Sequence, residues 1–390
     1  MTRTAIQFGA GNIGRGFLAQ LFHESGLEVI FVDVVQPAID AINLHGAYVI
    51  NIVGQGAQRV EIDSIHAIHA SETVRVARAV ADAEIVCTAV GAGALRFTAP
   101  AIAAGLALRN QAGSGPLNVL LCENLHNAAE VLRDAVKALL PESIRDAALA
   151  NTGFVQAVVS RMVPLQTEAD RAGDPLGVRV EAYKHLPIDA DAWVGKPANL
   201  VGVEPVSPFQ AYVDRKLFTH NCAHAVLGYL GYAAGHEFGY QALHDAQIEA
   251  RLRAVLEETG EALIRKHHLD PVQHAAHVGD LLARFDNRDL GDTCIRLARD
   301  PIRKLTPGDR ILGAARCCEA QGVPTDALAF AIAAALAYEE PGDPSANELQ
   351  RMLREDGLDG ALQKVCGIKV DEPLAEQVRV AVAARGHQAR

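Results

Sequence analysis

The sequence predicts an α/β N-terminal domain built on a parallel sheet, followed by a mostly α-helical C-terminal domain. Two observations predict this fold class. In the first half of the 390 residues, strand-like runs alternate with helical patterns, and strands separated by helices form right-handed crossovers into a parallel sheet. From about Pro208 onward the hydrophobic pattern is almost entirely helical. We therefore expect one domain over residues 1–200 and a second over residues 201–390.

The N-terminal elements follow in order. TAIQFG predicts a strand, and a helical pattern runs from Arg15 to about Ser25. LEVIFVDV predicts a second strand, and PAIDAINLHG a helix that begins at Pro37 and closes at Gly46. AYVINIVG and QRVEIDSIHAI predict a pair of strands, while DAEIVCTAVGAGAL and PLNVLLCEN each contain a buried strand that ends in a turn. VEAYKHLPIDADAWVGKPANL is typical of strands and loops.

Composition excludes several classes of partner. The net charge of -11 argues against nucleic acid or an anionic membrane as a partner. The longest apolar stretch, ALAFAIAAALAY, is too short to span a membrane and predicts a buried helix. Seven scattered cysteines without a CxxC pair indicate reduced thiols, and TAIQF opens the chain without a signal-like segment. We expect a cytoplasmic protein.

A glycine motif links the first strand to the first helix. Gly9, Gly11 and Gly14 form G-x-G-x-x-G, which is the Rossmann dinucleotide fingerprint when it lies between a strand and a helix. Asp33 ends the next strand, where an acid accepts hydrogen bonds from the adenosine ribose and repels a 2′-phosphate. The expected cofactor is NAD rather than NADP. The alternative is a glycine-rich turn with Asp33 as a surface cap, and Arg15 is either a pyrophosphate contact or a solvated residue.

A second motif carries groups suited to alcohol oxidation. RKLFTHNCAHA contains Lys216, His220, Asn221 and His224, which span about 140° of an α-helical wheel. Oxidising a secondary alcohol needs a base, donors for the developing alkoxide and a hydride acceptor. From the wheel alone, a solvated lysine with core or surface histidines is the better interpretation.

The K-x4-N-x2-H pattern resembles the signature of the polyol-specific long-chain dehydrogenase/reductase family. Further strings resemble it in family order over residues 4–313, and more narrowly its members that act on a phosphorylated polyol: FGAGNIGRGF, TAVG, PLNVLLCEN, RKLFTHNCAHA, AGH, QHAAH, ARFDN and DPIRKLTPGDRI. The resemblance implies NAD-dependent interconversion of D-mannitol 1-phosphate and D-fructose 6-phosphate, by a monomer or weak dimer. The alternatives are a dehydrogenase of an unphosphorylated polyol or hexonate, and a catalytically silent NAD-binding sensor.

The resemblance also implies site residues. It assigns the catalytic acid–base to Lys216, polarisation of the reacting carbonyl to Asn221 and substrate orientation to His224. It implies that Asn124, in CEN after a buried strand, joins Asn221 at the substrate oxygen. The predicted cofactor-binding residues lie in the glycine turn, at the end of the second strand and in TAVG: Phe8, Gly9, Ala10, Gly11, Asn12, Ile13, Gly14, Asp33 and Val90.

A basic string supplies the candidate phosphate contacts. Arg296 and Lys304 resemble an arginine and a lysine that hold substrate in relatives, and Arg299, Arg303 and Arg310 add positive charge nearby. Guanidinium and ammonium groups are the donors that bind phosphate best. The alternative interpretation is a solvated basic helix face.

Two further features bear on the chemistry. Many relatives carry an aspartate where this chain has Ser160 in VVSRMVP, and a serine cannot hold its charge. Substrate preference or rate is therefore open at that position. His274 and His277 lie three apart, as zinc ligands do, but a solvent-facing helix explains them and we expect no metal.

Overall fold

The computed structural model describes residues 3–164, 166, 174–197 and 199–388. The chain divides into two compact units, Met1–Gln210 and Ala211–Arg390.

The first unit contains the strands. They are β1 (Thr4–Phe8), β2 (Glu28–Asp33), β3 (Tyr48–Ile52), β4 (Gln58–Ile62), β5 (Ile65–His69), β6 (Ile85–Thr88), β7 (Leu117–Leu121), β8 (Thr152–Gln156), β9 (Val178–Val180), β10 (Leu186–Asp189) and β11 (Val203–Val206). Six of them form a parallel sheet in the order β5-β2-β1-β6-β7-β8. With the β3–β4 excursion set aside, this is the 3-2-1-4-5-6 order of a Rossmann sheet, with its switch point between β1 and β6.

Helices cover both faces of this sheet. They are α1 (Ala19–Glu24), α2 (Gln36–His45), α3 (Thr73–Asp82), α4 (Ala99–Ala112), α5 (Ala128–Leu139) and α6 (Glu142–Ala150). Successive strand residues point to opposite faces, so Ala5 packs into one buried cluster with Phe17 and Phe22, while Ile6 packs into another with Leu132. Two apolar layers therefore hold the sheet edge that carries the glycine turn.

The sequence predicts two strands after α2, but the structure has three there: β3, β4 and β5. QRVEIDSIHAI forms two strands, because the chain turns at Asp63 and Ser64, where Ser64 has a φ of 53°. β4 pairs antiparallel with β3 in a small sheet that also contains β9, whereas β5 joins the main sheet beside β2.

The second unit is helical, which confirms the predicted fold class. Its helices are α7 (Phe209–Arg215), α8 (Cys222–Ala233), α9 (Gly239–Leu243), α10 (Ala246–His267), α11 (Pro271–Phe285), α12 (Cys294–Ala298), α13 (Pro301–Lys304), α14 (Leu312–Ala320), α15 (Asp326–Leu336), α16 (Pro344–Ala361) and α17 (Pro373–Gln388). α8 and α15 are buried along most of their length. Within the described ranges, every helix is too short or too polar to cross a bilayer.

Candidate active site

The glycine turn between β1 and α1 has the shape of a ligand cradle. Gly9 has a φ of 93°, and a Cβ there would overlap the Ala89 carbonyl oxygen. A Cβ on Gly14 would overlap the Gly9 carbonyl oxygen, whereas one on Gly11 would meet no atom within 4 Å. Gly9 and Gly14 therefore permit the tight turn itself, and the open side of Gly11 leaves room for a bound group.

Backbone N–H groups line this cradle. The Arg15 N–H donates to the Gly11 carbonyl at 2.9 Å, the first bond of the helical segment that includes a π-helix over Gly14–Leu18. The preceding N–H groups of Asn12 and Ile13 find no acceptor in the part of the chain that the structure describes. Unpaired N–H groups at a helix start suit an anion such as a pyrophosphate. Phe8 and Val90, which end and follow neighbouring strands, lie at the same edge.

Asp33 and Arg15 fix the turn from two sides. The Ala10 N–H donates to Asp33 Oδ2 at 2.6 Å, and Arg15 Nε donates to the Ala10 carbonyl at 2.7 Å. Asp33 Oδ1 also accepts from the next two N–H groups of the chain, at 2.7 and 3.0 Å. Arg15 is only 8% exposed and donates to the Leu176 carbonyl at 2.5 Å. The solvated interpretation of Arg15 is therefore wrong, because its guanidinium bonds to main-chain carbonyls.

In the second unit, Lys216–Asn221 forms a π-helix between α7 and α8. A π-helix closes i→i+5 hydrogen bonds, so Lys216 and Asn221 lie one turn apart on the same side. The 100° wheel used for the sequence therefore overstated their angular separation. No residue that the structure describes hydrogen-bonds the Lys216 amine.

Aromatic rings hold the two histidines of this segment. The His224 ring stacks on Phe285 of α11, with centroids 3.9 Å apart, and the His220 ring meets His224 edge-on at 4.9 Å. Sequence reasoning missed Phe285, since it lies in a different helix from the motif. Its stacking fixes the imidazole that follows Asn221 by one helical turn.

Burial lowers the pKa of the lysine and of both histidines in this cluster. Burial, assisted by the positive charge of Arg310, lowers the pKa of Lys216 to about 8. Burial also lowers the pKa of His224 to about 3, with a further effect of Arg296, and lowers that of His220 well below its usual range. Near neutral pH the two imidazoles are uncharged, and the lysine can exchange its proton.

The basic string is largely paired with acids. Arg303 donates to Asp300 at 2.7 Å and to Asp309 at 3.0 Å. Arg310 Nε donates to Asp309 at 2.7 Å. Two of the predicted phosphate contacts are thus already neutralised by neighbouring carboxylates.

The remaining basic groups differ in exposure. Arg296 forms an ion pair with Asp292. Lys304 is 3% exposed and donates to the Arg299 carbonyl, and burial lowers its pKa to about 7. Arg299 itself is exposed, and no acid of the described residues pairs with it. Its charge lowers the pKa of Arg296 beyond the effect of burial, so two guanidinium groups lie close together here.

Asn124 and Ser160 belong to the first unit. Asn124 is exposed in the turn after β7, at the carboxyl edge of the sheet. Ser160 is half-buried, and the adjacent Arg161 donates to Gln20 Oε1 at 2.7 Å and to the Glu181 carbonyl at 2.9 Å.

The histidine pair of α11 is not on a solvent face. His274 is 5% exposed, and its Nε2 would lie 2.9 Å from a Cβ on Gly260 of α10. The prediction of a solvent-facing helix is wrong at this position, because α11 packs His274 against the one α10 residue without a side chain there. The described residues contain no group of three potential metal ligands.

Comparisons with known proteins match nearly the full length of the chain. The mannitol dehydrogenase Rossmann domain matches residues 3–201, and the mannitol dehydrogenase C-terminal domain matches residues 208–384. A mannitol-1-phosphate 5-dehydrogenase from Brevibacillus brevis is 40% identical over 375 residues, or 96% of each chain. Mannitol 2-dehydrogenase of Pseudomonas fluorescens, solved with NAD and D-mannitol, has a TM-score of 0.77 at 18% identity, over 98% of this chain and 92% of that one. A substrate-free D-sorbitol dehydrogenase has a TM-score of 0.81 at 16% identity, over 99% and 93%.

Proposed function

The chain belongs to the mannitol dehydrogenase family, and from that premise we propose that it is an NAD-dependent oxidoreductase interconverting D-mannitol 1-phosphate and D-fructose 6-phosphate. The observation that carries the proposal is the π-helix over Lys216–Asn221. It aligns a half-buried amine of lowered pKa with an amide, the two groups that alcohol oxidation requires at one oxygen.

Lys216 is the proposed acid–base. In oxidation the uncharged amine accepts the proton of the reacting secondary hydroxyl, and in reduction the ammonium returns it. The Asn221 amide donates to the substrate oxygen as negative charge develops there, and Asn124 is proposed as a second donor. His224, neutral and stacked on Phe285, orients a neighbouring hydroxyl.

NAD is the proposed cofactor. It accepts the hydride when bound in its oxidised form. The cradle at Gly11, with the unpaired N–H groups of Asn12 and Ile13, suits its pyrophosphate, and Asp33 suits the adenosine ribose. Among the described residues, Asp33 Oδ2 accepts a hydrogen bond from the Ala10 N–H alone, so a lone pair is left for a ribose hydroxyl.

The phosphate of the substrate is proposed to bind the exposed basic groups. Arg299 is favoured, because it has no acid partner among the described residues, whereas Arg296, Arg303 and Arg310 each pair with an aspartate. Arg296 lies close to Arg299 and is proposed as the second contact. Lys304 is proposed to act indirectly, since its amine donates a hydrogen bond to the Arg299 carbonyl.

The test is steady-state NADH consumption by the parent protein with fructose 6-phosphate and with unphosphorylated fructose. We expect turnover that strongly favours the phosphate ester. Equal rates would mean that the protein does not recognise the phosphate group and would favour a dehydrogenase of unphosphorylated polyols. NADH binding without turnover of any ketose or polyol would favour a sensor.

The role of Lys216 is tested by Lys216→Met, which keeps the stem and removes the amine. We expect kcat to fall at least about 100-fold, the usual contribution of acid–base catalysis, with the dissociation constant of NADH unchanged. Lys137→Met, the same change at an exposed position of α5, is the matched control. Full turnover by Lys216→Met would contradict the mechanism.

A further inference from the structure

Glu123 is a buried acid that lies outside the glycine turn and the Lys216 motif and has been given no role so far. It follows β7 by two residues, lies directly before Asn124 and is 8% exposed. Its Oε1 accepts from the Val90 N–H at 2.9 Å, and its Oε2 accepts from the Gly91 N–H at 2.7 Å. Both oxygens accept hydrogen bonds from backbone N–H groups, the arrangement that suits a carboxylate. A buried negative charge therefore spans the turns that follow β6 and β7.

These turns are joined to the glycine cradle. The Ala89 N–H donates to the Phe8 carbonyl at 2.9 Å, and Ala89 packs against Gly9. The Cys122 N–H donates to the Thr88 carbonyl at 3.0 Å. By holding Val90 and Gly91, Glu123 thus fixes the relative position of three turns at the carboxyl edge of the sheet.

The topology places this carboxylate toward one half of the cofactor. The strand order reverses between β1 and β6, and a dinucleotide lies across such a switch point with one half on each side. Asp33 ends β2 on the side assigned to the adenosine half. The ends of β6 and β7, with Glu123, therefore lie on the nicotinamide side, a step that rests on the proposed function.

The oxidised and reduced forms of the cofactor differ in charge at the nicotinamide ring. Oxidised nicotinamide carries a positive charge, and reduced nicotinamide is neutral, so a fixed negative charge nearby stabilises the first relative to the second. We propose that Glu123 is a positioning residue of the cofactor site whose negative charge favours binding of NAD+ over NADH.

The experiment compares dissociation constants of NAD+ and NADH for the full chain by calorimetry and by NADH fluorescence. Glu123→Gln removes the charge and keeps one acceptor oxygen. We expect the ratio of the NAD+ to the NADH dissociation constant to rise about fivefold, the order produced by one charge near a ring in a partly solvated site. Glu123→Asp keeps the charge and should keep the ratio, although the shorter side chain weakens binding of both forms. Glu130→Gln, at an exposed position of α5, is the control for removing a charge elsewhere and should leave the ratio unchanged.

A second variant does not depend on altering the buried carboxylate. Ala92 is exposed and follows Gly91 directly, so Ala92→Lys places a compensating positive charge beside Glu123 and should raise the ratio in the same direction. Equal weakening of NAD+ and NADH in Glu123→Gln, or an unchanged ratio in both variants, would overturn the proposal. A parent protein that binds neither form would instead overturn the proposed function, so the two failures are distinct.

Discussion

At the scale of single residues, the protonation of Lys216 sets the pH dependence of each reaction direction. Its pKa is lowered to about 8, and oxidation needs the uncharged amine. We therefore expect kcat/KM for polyol oxidation to rise about tenfold per pH unit below that pKa and to level off above it. Reduction needs the ammonium, so its kcat/KM should be constant below about pH 8 and fall above it. Initial rates measured in both directions between pH 6 and about pH 10 test this.

The Arg310 charge provides the control for that profile. Because Arg310 lowers the pKa of Lys216, Arg310→Gln should move both limbs to higher pH, whatever it does to the absolute rate. If kcat/KM rose with pH in both directions or fell in both, a different group would carry the proton. The same would follow if the pH profiles of Arg310→Gln did not shift.

Arg299 distinguishes the two interpretations of the basic string. Its guanidinium is exposed and has no acid partner among the described residues, so Arg299→Ala should raise the KM for fructose 6-phosphate about tenfold. The KM for NADH should not change. Arg303→Ala is the matched control, since that guanidinium already bonds to Asp300 and Asp309 and should contribute to stability instead. A larger KM effect in Arg303→Ala than in Arg299→Ala would reverse the assignment.

At the scale of elements, two glycines of one turn affect different properties: Gly14 affects the stability of the fold, and Gly11 affects cofactor binding. A Cβ on Gly14 would overlap the Gly9 carbonyl oxygen, whereas one on Gly11 meets open space. We expect Gly14→Ala to lower the midpoint of thermal unfolding by several degrees, and Gly11→Ala to leave it unchanged while it weakens NADH binding about tenfold or more. Calorimetry and NADH titration measure the two effects. A stable Gly14→Ala variant, or a Gly11→Ala variant that binds NADH normally, would contradict this account of the cradle.

The elements also show what the sequence could and could not predict. The strand and helix alternation, the glycine turn and the helical second half were readable because hydrophobic periodicity and glycine placement are local signals. The π-helix over Lys216–Asn221 was not, since an i→i+5 turn leaves no mark in a 3.6-residue pattern. β5 was merged with β4 for a related reason: the break between them is only Asp63 and Ser64, with no glycine or proline to signal it.

The site was partly predictable for the same physical reason. Lys216, Asn221 and His224 lie within one helical segment, so the sequence places them near one another. The spacing alone favoured a solvated lysine, and the site assignment came from the resemblance to a family. Contacts made across elements left no such signal: Phe285 stacks on His224 from another helix, and Glu123 binds the turn after β6 from the turn after β7. Asp300 and Asp309, the partners of Arg303, are part of the basic string itself. Only the fold shows that their side chains bond to the Arg303 guanidinium.

At the scale of the whole molecule, each unit has a buried core of its own. In the first unit, Phe17 and Phe22 pack on one face of the sheet, and Leu132 packs on the other. In the second unit, α8 and α15 supply fully buried side chains. The predicted domains, 1–200 and 201–390, stay a prediction until their folding is measured separately. Cofactor binding offers that measurement, because the fingerprint lies wholly in the first unit.

NADH should raise the unfolding temperature of the first unit alone. At a ligand concentration 100 times its dissociation constant, binding stabilises the native state by about 2.7 kcal/mol. For the 210 residues of Met1–Gln210 this corresponds to an upward shift of about 6 °C, and for all 390 residues unfolding together to about 3 °C. We expect two calorimetric transitions, of which one moves by the larger amount and the other stays in place. Gly11→Ala, scanned at the same NADH concentration, is the control and should show a smaller shift. A single transition that moves by about 3 °C would mean that the two units unfold as one cooperative structure.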